Sequence, residues 1–372
     1  MIYFDSAATT FQKPAAVGRA VTAALARMTS PGRGEYGPAA RASQTLLACR
    51  ECAGDLFQVE EPERVVLTFN ATHGLNIAVR SLVKPGSRVL LSGYEHNAVT
   101  RPLYSIPGVR VRVMRSPLFR PDLFLEELER RLASETDVMI CTHVSNVFGY
   151  ILPVDEIAAL CRRWEVPLLV DASRSAGVLP VRMRDWGAAF AAMPGHKGLY
   201  GPQGSGLLLC QSSGDPVLLG GTGSASRQQE MPDFLPDRLE AGTHNVPGAA
   251  GLLAGMQFVK EKGPARLLRH EQQLLAQAAE GLNRLPGVQV YWDPRGVSQS
   301  GVVSFRVRHR DPGQMGELLG QRGIAVRTGL HCAPMAHETA GTERTGTVRV
   351  SFSAFNTGRE VERFLRVMRQ LV

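Results

Sequence analysis

The stretch AMPGHKGLYGPQGSG, residues 192–206, places one lysine among five glycines and two prolines. A lysine in a glycine-rich loop often binds phosphate, as in the P-loop of nucleotide-binding proteins. That motif requires a glycine, four residues of any type, and then Gly-Lys followed by Ser or Thr, in a loop that opens a helix. Here His196 precedes Lys197, Gly198 follows it, and the loop leads into a predicted strand. This order excludes a P-loop, so Lys197 needs another explanation.

The segments around this loop alternate between strand and helix patterns. Runs rich in Val, Ile and Leu predict strands at 64–69, 87–92, 109–114, 137–144, 166–173 and 204–210. Amphipathic stretches such as LFLEELERRLAS and VDEIAALCRRW lie between them. Apolar strands that alternate with helices predict a mostly parallel, doubly wound α/β sheet. Ligands of such sheets bind beyond the carboxyl ends of the strands.

After AGTHNVPG (241–248) the pattern changes. A long helical stretch runs to about Asn283, and it is followed by strand patterns in VQVYW, GVVSFRV, IAVR and GTVRVSF and by a closing helix, GREVERFLRVMRQL. This order predicts a smaller α+β domain. We therefore expect a large domain over residues 1–250 and a small one over residues 251–372. About the first 13 residues are expected to pack on the small domain, and a ligand cleft is expected between the two domains.

Composition and charge limit the class of protein. With 372 residues, of which 44% are hydrophobic, the chain can bury two cores. It has no apolar run of eighteen residues, and MIYFDSAATT lacks the features of a signal peptide, so we expect a cytoplasmic protein that does not bind membranes. The net charge is +8, but the basic residues are scattered and no nucleic-acid motif occurs. An anionic small molecule explains the charge without nucleic acid.

Six cysteines in a chain of this kind are predicted to be reduced thiols rather than a disulfide framework. Cys49 and Cys52 form a C-x-x-C motif, but they lie in a helical pattern and no second ligand pair accompanies them. A metal site is therefore not expected.

The candidate site residues follow directly after predicted strands. Thr72 comes after the strand at 64–69, before a helix predicted to start near Gly74. Its hydroxyl could bind a phosphate together with the N–H groups of the helix start, or it could simply cap the helix. The sequence leaves both interpretations open.

Asp171 and Lys197 form the more informative pair. His96 and Asn146 also follow strands, but each taken singly suits a surface or turn position. Asp171 ends a strand, and Lys197 follows it in the glycine-rich loop. This pair suits pyridoxal 5′-phosphate, which needs a carboxylate to keep its pyridine nitrogen protonated and a lysine to bond its aldehyde carbon. The same lysine can act as the base for the α-proton of an amino acid.

Taken together, the motifs make the chain resemble the class V aminotransferase-fold enzymes, and within them the cysteine desulfurase and selenocysteine lyase group. The resemblance runs through FDSAATT, NATHGLN, EHNAV, SNVFG, LLVDAS, PGHKGLYGPQGSG, RLEAGTHN, VRTGLHCAP and VRVSFSAFNT, and so covers nearly the whole chain. It implies the α/β fold type I, with a large doubly wound, mostly parallel sheet domain and a smaller C-terminal α+β domain. It also implies pyridoxal 5′-phosphate as cofactor and a homodimer.

The resemblance gives each motif residue a role at the cofactor. Lys197 matches the lysine that forms a Schiff base with it, and Asp171 matches the partner of its pyridine nitrogen. His96 matches the histidine that stacks on its ring and takes part in proton transfer. Thr243 matches a threonine that reaches the phosphate in the partner subunit. The phosphate-binding positions of the family are matched by Thr72 and His196, together with backbone N–H groups around Ala71 and His73.

The resemblance also implies a substrate site. Arg349 matches the arginine that grips the substrate α-carboxylate, for which a guanidinium offers a charged, bidentate fork. Arg327 resembles a second active-site arginine, and Asn146 lies where the family contacts cofactor or substrate. Cys332, in VRTGLHCAP, matches the thiol that takes the substrate sulfur as a persulfide while alanine is released.

Three positions depart from the family pattern. Arg174 stands where the family usually has a glutamine that contacts the phenolic oxygen of the cofactor, His73 where many relatives have glutamate, and Pro194 where some have a phosphate-binding serine. We expect a cysteine desulfurase, with a sulfur-acceptor protein as partner. The alternatives are a selenocysteine lyase, and a class V aminotransferase or other carbon–sulfur lyase in which Cys332 has no role.

Overall fold

The computed structural model describes residues 1–32, 34, 36–134 and 136–372. The helices are α1 Ala15–Arg27, α2 Gly37–Phe57, α3 Ala71–Leu82, α4 Asn97–Tyr104, α5 Pro121–Leu132, α6 Val154–Arg163, α7 Met183–Trp186, α8 Val246–Lys262, α9 Pro264–Asn283, α10 Pro312–Gln321, α11 Pro334–Ala340 and α12 Gly358–Leu371. The strands are β1 Ile2–Tyr3, β2 Val65–Thr68, β3 Arg88–Leu91, β4 Arg110–Val113, β5 Val138–Thr142, β6 Leu168–Asp171, β7 Phe190–Pro194, β8 Gly206–Cys210, β9 Val288–Tyr291, β10 Val302–Val307, β11 Ile324–Ala325, β12 Arg327–Gly329 and β13 Thr347–Ser351.

The larger sheet has the order β2-β8-β7-β6-β5-β3-β4 within the described chain. Its neighbours from β7 to β4 pair in parallel, whereas β8 runs antiparallel to both β2 and β7. The predicted doubly wound, mostly parallel sheet is therefore confirmed. The carboxyl ends of β2, β3, β5, β6 and β7 lie at one edge, which is the edge that positions the site.

Within the larger sheet, β7 is the strand that the sequence patterns did not predict. Its residues, FAAMP, include alanines, which favour strands weakly. Packing explains them, because β7 lies between β6 and β8 and all five of its residues are buried. Helix α3 packs closely on it, since a Cβ added at Gly74 would lie 3.3 Å from the Cβ of Ala192. Small side chains here let α3 reach the sheet directly before the loop that carries Lys197.

The smaller sheet is antiparallel, with the order β12-β13-β10-β9. Its apolar face packs with α9, α10 and α12 around a second core, as the α+β pattern predicts. The prediction of one helix up to Asn283 was wrong, because Gly263 adopts a φ of +78° and ends α8 before Pro264 begins α9. The single strand predicted in IAVR (324–327) is divided between two strands: β11 pairs with β1, and β12 pairs with β13.

The start of the chain contacts the smaller sheet. β1 pairs in parallel with β11, and Phe4 packs edge-on against Phe352 and Phe364. Helix α8 packs on α1 and α2, whereas α9 packs on α12. The division into residues 1–250 and 251–372 stays a prediction, and α8 runs across its boundary.

None of the helices in the described part of the chain is long and apolar enough to cross a membrane. All six cysteines are free thiols, as predicted, and Cys49 and Cys52 are buried in α2. Over the same residues, no group of His, Cys, Asp and Glu side chains could hold a metal ion.

Phe4→Ala should lower the free energy of unfolding by about 3–5 kcal/mol, because it empties a fully buried aromatic position between the chain start and the second core. Urea unfolding followed by circular dichroism measures the loss. Phe11→Ala is the matched control, since Phe11 is 65% exposed and its removal should cost less than about 1 kcal/mol. Equal losses for the two variants would contradict the burial of Phe4 in this core.

Candidate active site

A cavity of about 200 Å³ lies at the carboxyl edge of the larger sheet. It collects most of the residues that the sequence singled out, from five different strand ends and from the smaller sheet. The predicted residues that line it are Ala71, Thr72, His96, Asn146, Asp171, Arg174, His196, Lys197, Arg327 and Arg349. The structure does not bring His73, Thr243 or Cys332 to this cavity; they line neighbouring cavities.

Lys197 follows β7 in a tightly folded loop. A Cβ at Gly198 would lie 2.3 Å from the carbonyl oxygen of Ala176, so this position tolerates only glycine where the loop meets the segment after β6. Lys197 is half-buried in the cavity wall. Burial, and then the nearby charge of Arg174, lower the pKa of its amine to about 8. The amine therefore titrates close to physiological pH.

Asp171 is the last residue of β6 and is almost completely buried. Its Oδ1 accepts a hydrogen bond from the N–H of Ser173 at 2.9 Å, which orients the carboxylate. Asp171 lines the same cavity as Lys197, and its charge opposes the effect of burial on the pKa of that lysine.

His96 is the N-cap of α4, where its Nδ1 accepts a hydrogen bond from the N–H of Ala98 at 3.0 Å. Burial, followed by the charge of Lys197, lowers its pKa to about 4. The ring is therefore neutral at physiological pH, and because Nδ1 is an acceptor, the proton is held on Nε2. The cap explains why a histidine that follows a strand has a fixed orientation.

Helix α3 begins at Ala71, not near Gly74 as the sequence pattern suggests, and Asn70 is its N-cap. The Asn70 side chain accepts the N–H of His73 at 2.9 Å, so the interpretation of Thr72 as the cap was wrong. Thr72 is exposed in the first helical turn, where N–H groups have no intrahelical acceptor. This start of α3 presents N–H groups and a hydroxyl to the cavity.

The side chain of His73 does not line the site cavity. Its ring stacks on Phe69 at a centroid distance of 4.7 Å and lines a neighbouring cavity together with Thr243. His196, by contrast, lines the site cavity, and its Nδ1 lies 3.0 Å from Oγ1 of Thr9. The resemblance implies a backbone N–H around His73 at the phosphate, but the N–H of His73 donates to Oδ1 of Asn70 at 2.9 Å. The side chain of His196 does line the cavity.

Arg349 lies on β13 with a side chain that is 1% exposed. Its Nη2 donates to Oδ1 of Asp5 at 2.7 Å, and its Nη1 donates to the carbonyl oxygen of Asn146 at 2.9 Å. Its Nε has no partner among the described residues. Burial lowers the pKa of the guanidinium to about 10, against the opposing effect of Asp5, so it keeps its charge at neutral pH.

Cys332 is exposed in a groove that adjoins the cavity and shares Thr72 and His96 with it. The Nη2 of Arg327 lies 3.4 Å from its sulfur. Both His331 and Cys332 have positive φ, 51° and 56°, a conformation that costs free energy for side chains other than glycine and concentrates at functional sites. The loop between β12 and α11 thus presents the thiol outward beside a positive charge.

The N-terminal segment contributes residues that sequence reasoning missed. Ala7 and Ala8 line the cavity, Asp5 pairs with Arg349, and the carbonyl oxygen of Ser6 accepts from Arg174 at 3.3 Å. His331 was also missed as a lining residue. The sequence offered one signal for these residues, the polar motif FDSAATT (4–10). Its Asp5 follows the first apolar residues at a position where no local structure requires a carboxylate.

Positive charge dominates the cavity. Lys197, Arg174, Arg327 and Arg349 line it, and Asp171 is the one acidic residue among the described lining residues. Such a wall, with the start of α3 beside it, is suited to a small ligand that carries several negative charges.

Comparisons with known proteins give a consistent result. The family model for aminotransferase class-V matches residues 2–364. A probable cysteine desulfurase from Methanothermobacter thermautotrophicus is 32% identical, over 97% of this chain and 92% of that protein. The apo structure of cysteine desulfurase from Thermococcus onnurineus NA1 has a TM-score of 0.90 at 31% identity and covers 100% of this chain and 94% of that one. The cysteine desulfurase CsdA (S-sulfonic acid) from Escherichia coli has a TM-score of 0.86 at 25% identity, over 99% of this chain and 94% of that one.

Lys197→Met should raise the free energy of unfolding of the cofactor-free protein at pH 7, because it removes an ammonium that burial destabilises. Since the pKa is about 8 in the fold and ordinarily 10.5, the wild type gains stability as pH rises between these values, by at most ~1.4 kcal/mol per pH unit. The advantage of the variant should therefore shrink over that range in urea unfolding. Lys262→Met, at an exposed position, is the control and should show no such trend.

Asp5→Asn should lower the free energy of unfolding by about 3 kcal/mol, because it leaves the buried Arg349 guanidinium without its carboxylate. The matched control is Glu129→Gln, which breaks the exposed pair with Arg163 and should cost less than about 1 kcal/mol. Urea unfolding of both variants at pH 7 measures the difference. A loss for Asp5→Asn no larger than that of the control would show that the pair does not stabilise the fold.

Proposed function

The chain belongs to the class V aminotransferase family, and on that premise we propose that it is a pyridoxal 5′-phosphate-dependent cysteine desulfurase. The observation that carries the proposal is the convergence of Lys197, Asp171 and Arg349 on one cavity, with the exposed Cys332 in the adjoining groove. A relative that matches over 92% of its length is named a probable cysteine desulfurase, and a similar solved structure is named a cysteine desulfurase.

The residues of the cavity fit a phosphorylated pyridine aldehyde. Three buried nitrogens in its wall, Nε of Arg174, Nε of Arg349 and Nδ1 of His331, have no partner within the described residues. The positive wall and the start of α3 suit a phosphate. We infer that the phosphate is held by Ala71, Thr72 and His196, the ring nitrogen by Asp171, and the ring by His96, with Lys197 as the covalent anchor.

The cofactor, when bound, supplies an electron sink for the substrate's α-carbon. The protein supplies the proton acceptor and donor. The Lys197 amine, with its pKa near 8, can take up or release a proton at Nζ close to neutral pH. The neutral His96 ring can hold or donate a proton at Nε2, since Nδ1 is engaged by the N–H of Ala98.

We assign the substrate α-carboxylate to Arg349. Its guanidinium is charged and already oriented by Asp5 and by the Asn146 carbonyl oxygen, so little orientational entropy is lost when it binds a second anion. Asn146 donates its own side-chain N–H to the carbonyl oxygen of His331 at 2.9 Å, which links the substrate end of the cavity to the loop that carries Cys332.

Cys332 is the sulfur acceptor in this proposal. The substrate Cβ–S bond breaks and an S–S bond forms at Cys332, so that the enzyme carries a persulfide and the substrate leaves as alanine after Cβ gains a proton. The Arg327 guanidinium, 3.4 Å from the sulfur, can donate a hydrogen bond to it in its anionic form. A thiol reductant or an acceptor protein then removes the sulfur.

We also propose a homodimer. Thr243 is exposed and lies outside the cavity that holds Lys197. In a homodimer it could reach the phosphate in the partner subunit, the role that its motif implies. The cytoplasmic location and the acceptor protein stay predictions.

Incubation of the purified protein with L-cysteine and dithiothreitol should yield alanine and sulfide in equal amounts. Cys332→Ala should reduce this turnover to background and retain the visible absorption of the bound cofactor, because the thiol is needed only after the cofactor and substrate are held. Cys52→Ala, which removes a buried thiol in α2, should retain turnover. Chromatographic quantification of alanine with a colorimetric sulfide assay gives both readouts.

Other outcomes point to the alternatives. Full turnover by Cys332→Ala would eliminate the persulfide step. Conversion of the cofactor to its amine form, reversed by a 2-oxo acid, would indicate an aminotransferase. Turnover of selenocysteine without turnover of cysteine would indicate a selenocysteine lyase.

A further inference from the structure

Glu240, in the segment before α8, is a buried acidic residue that the proposed function does not use. Its side chain is 4% exposed, and the guanidinium of Arg50 on α2 donates to both of its oxygens, Nη1 to Oε1 and Nη2 to Oε2, each at 2.7 Å. Oε1 also accepts the N–H of Leu67 on β2. Burial opposes the charge of this carboxylate, but Arg50 holds its pKa below the ordinary value, so Glu240 is ionised at neutral pH.

His244 makes a further bond to this carboxylate. An ionised carboxylate can only accept hydrogen bonds, so the Nε2 of His244 is the donor to Oε2 of Glu240. The imidazole is half-buried and reaches back over four positions of the chain to make this bond. It thereby ties the residues after Glu240 to a group that is itself bonded to α2 and β2.

The residues that carry Thr243, here called the Thr243 segment (241–245), are held at their other end by Asn245. The side-chain oxygen of Asn245 accepts the N–H of Gly248 at 2.9 Å, as the N-cap of α8. Its Nδ2 donates to the carbonyl oxygen of Gly204, in the loop after β7, at 3.0 Å. The Thr243 segment is therefore anchored by side chains at both ends.

Thr243 lies between these two anchors. Its side chain is exposed, and its hydroxyl has no hydrogen-bond partner in the described part of the chain. Gly242 adopts a φ of +93°, so the backbone turns directly before it. An exposed hydroxyl without a partner adds little to the stability of its own subunit. Held in one place by a rigid segment, it suits the binding of a group outside that subunit.

We propose that His244 is a positioning residue: its bond to Glu240 fixes the Thr243 segment, so that the Thr243 hydroxyl is preorganised for the cofactor phosphate of the partner subunit. The proposal rests on the homodimer of the proposed function. A group already held in its bound conformation loses less conformational entropy on binding, and the complex is tighter. Without the His244 bond, the side chain of Asn245 would hold the segment at one end only.

A double-mutant cycle on cofactor binding tests this role. The cofactor-free chain is titrated with pyridoxal 5′-phosphate, and the dissociation constant is measured by equilibrium dialysis. Thr243→Ala should weaken binding by about 10-fold, since it removes a hydrogen bond to a charged group. His244→Ala should weaken it by at least about 3-fold, because the hydroxyl must then be ordered on binding. In the Thr243→Ala background, His244→Ala should have no effect.

Two comparisons separate positioning from a general loss of structure. Pyridoxal, which lacks the phosphate, should bind equally well to the wild type and to His244→Ala. For pyridoxal 5′-phosphate, His244→Gln should restore most of the affinity, because the glutamine Nε2 can donate to Glu240 as the histidine does. His270→Ala is the matched control. It removes an Nε2 that donates to the carbonyl oxygen of Asn356 at 3.0 Å, between α9 and the segment before α12, and should leave the affinity unchanged.

Fold and assembly are checked in parallel, by thermal melting and by light scattering. His244→Ala should be a dimer like the wild type. His244→Leu is a second variant, which fills most of the volume and lacks the donor. Should one of the two fail to fold, the other decides. Failure of both overturns the proposal, because the bond would then serve the fold rather than the Thr243 hydroxyl.

The proposal is overturned if His244→Ala leaves the affinity for pyridoxal 5′-phosphate unchanged, or weakens it by the same factor with and without Thr243. An equal loss of pyridoxal binding, or a monomeric variant, would also overturn it. Wild-type affinity in Thr243→Ala would overturn it together with the phosphate role of Thr243. These measurements need no L-cysteine, so absence of alanine formation would sink the desulfurase function and leave the role of His244 intact.

Discussion

The ion pair between Asp5 and Arg349 joins three parts of the molecule that are far apart in the chain. Arg349 lies on β13 of the smaller sheet, Asp5 follows β1, and Asn146, whose carbonyl oxygen accepts from the same guanidinium, follows β5 of the larger sheet. A buried guanidinium needs acceptors for its N–H groups and a counter-charge. Satisfying Arg349 therefore holds the chain start, the larger sheet and the smaller sheet together around one cavity.

The balance of charge in this cavity explains its chemistry. Lys197 lies among arginines in a partly desolvated wall, and both burial and the neighbouring cations oppose its charged form. The same forces keep His96 neutral, because burial and Lys197 lower its pKa to about 4. Asp171 acts in the opposite direction on both groups. A cavity of this kind holds both a reactive amine and a neutral imidazole in its wall, while its net positive charge remains available for an anionic ligand.

Several site residues could be predicted from the sequence for one reason. Parallel strands end at the same edge of a sheet, so residues directly after β3, β5, β6 and β7 meet there. This holds for His96, Asn146, Asp171 and Lys197, although β7 itself was not predicted. The strand was missed because its alanines satisfy a packing requirement of α3, which a local pattern does not show. The start of α3 was placed three residues too late, because Asn70 rather than Thr72 supplies the cap.

The sequence by itself determined the α/β class, the family, and the residues that follow each strand, because these depend on local periodicity and on motifs of adjacent residues. Tertiary structure alone decided which polar groups those residues meet. Asp5 lies 344 positions from Arg349, and no local pattern links the two residues. Their association follows from burial, because a charge removed from water must be balanced by whichever opposite charge the fold places within reach.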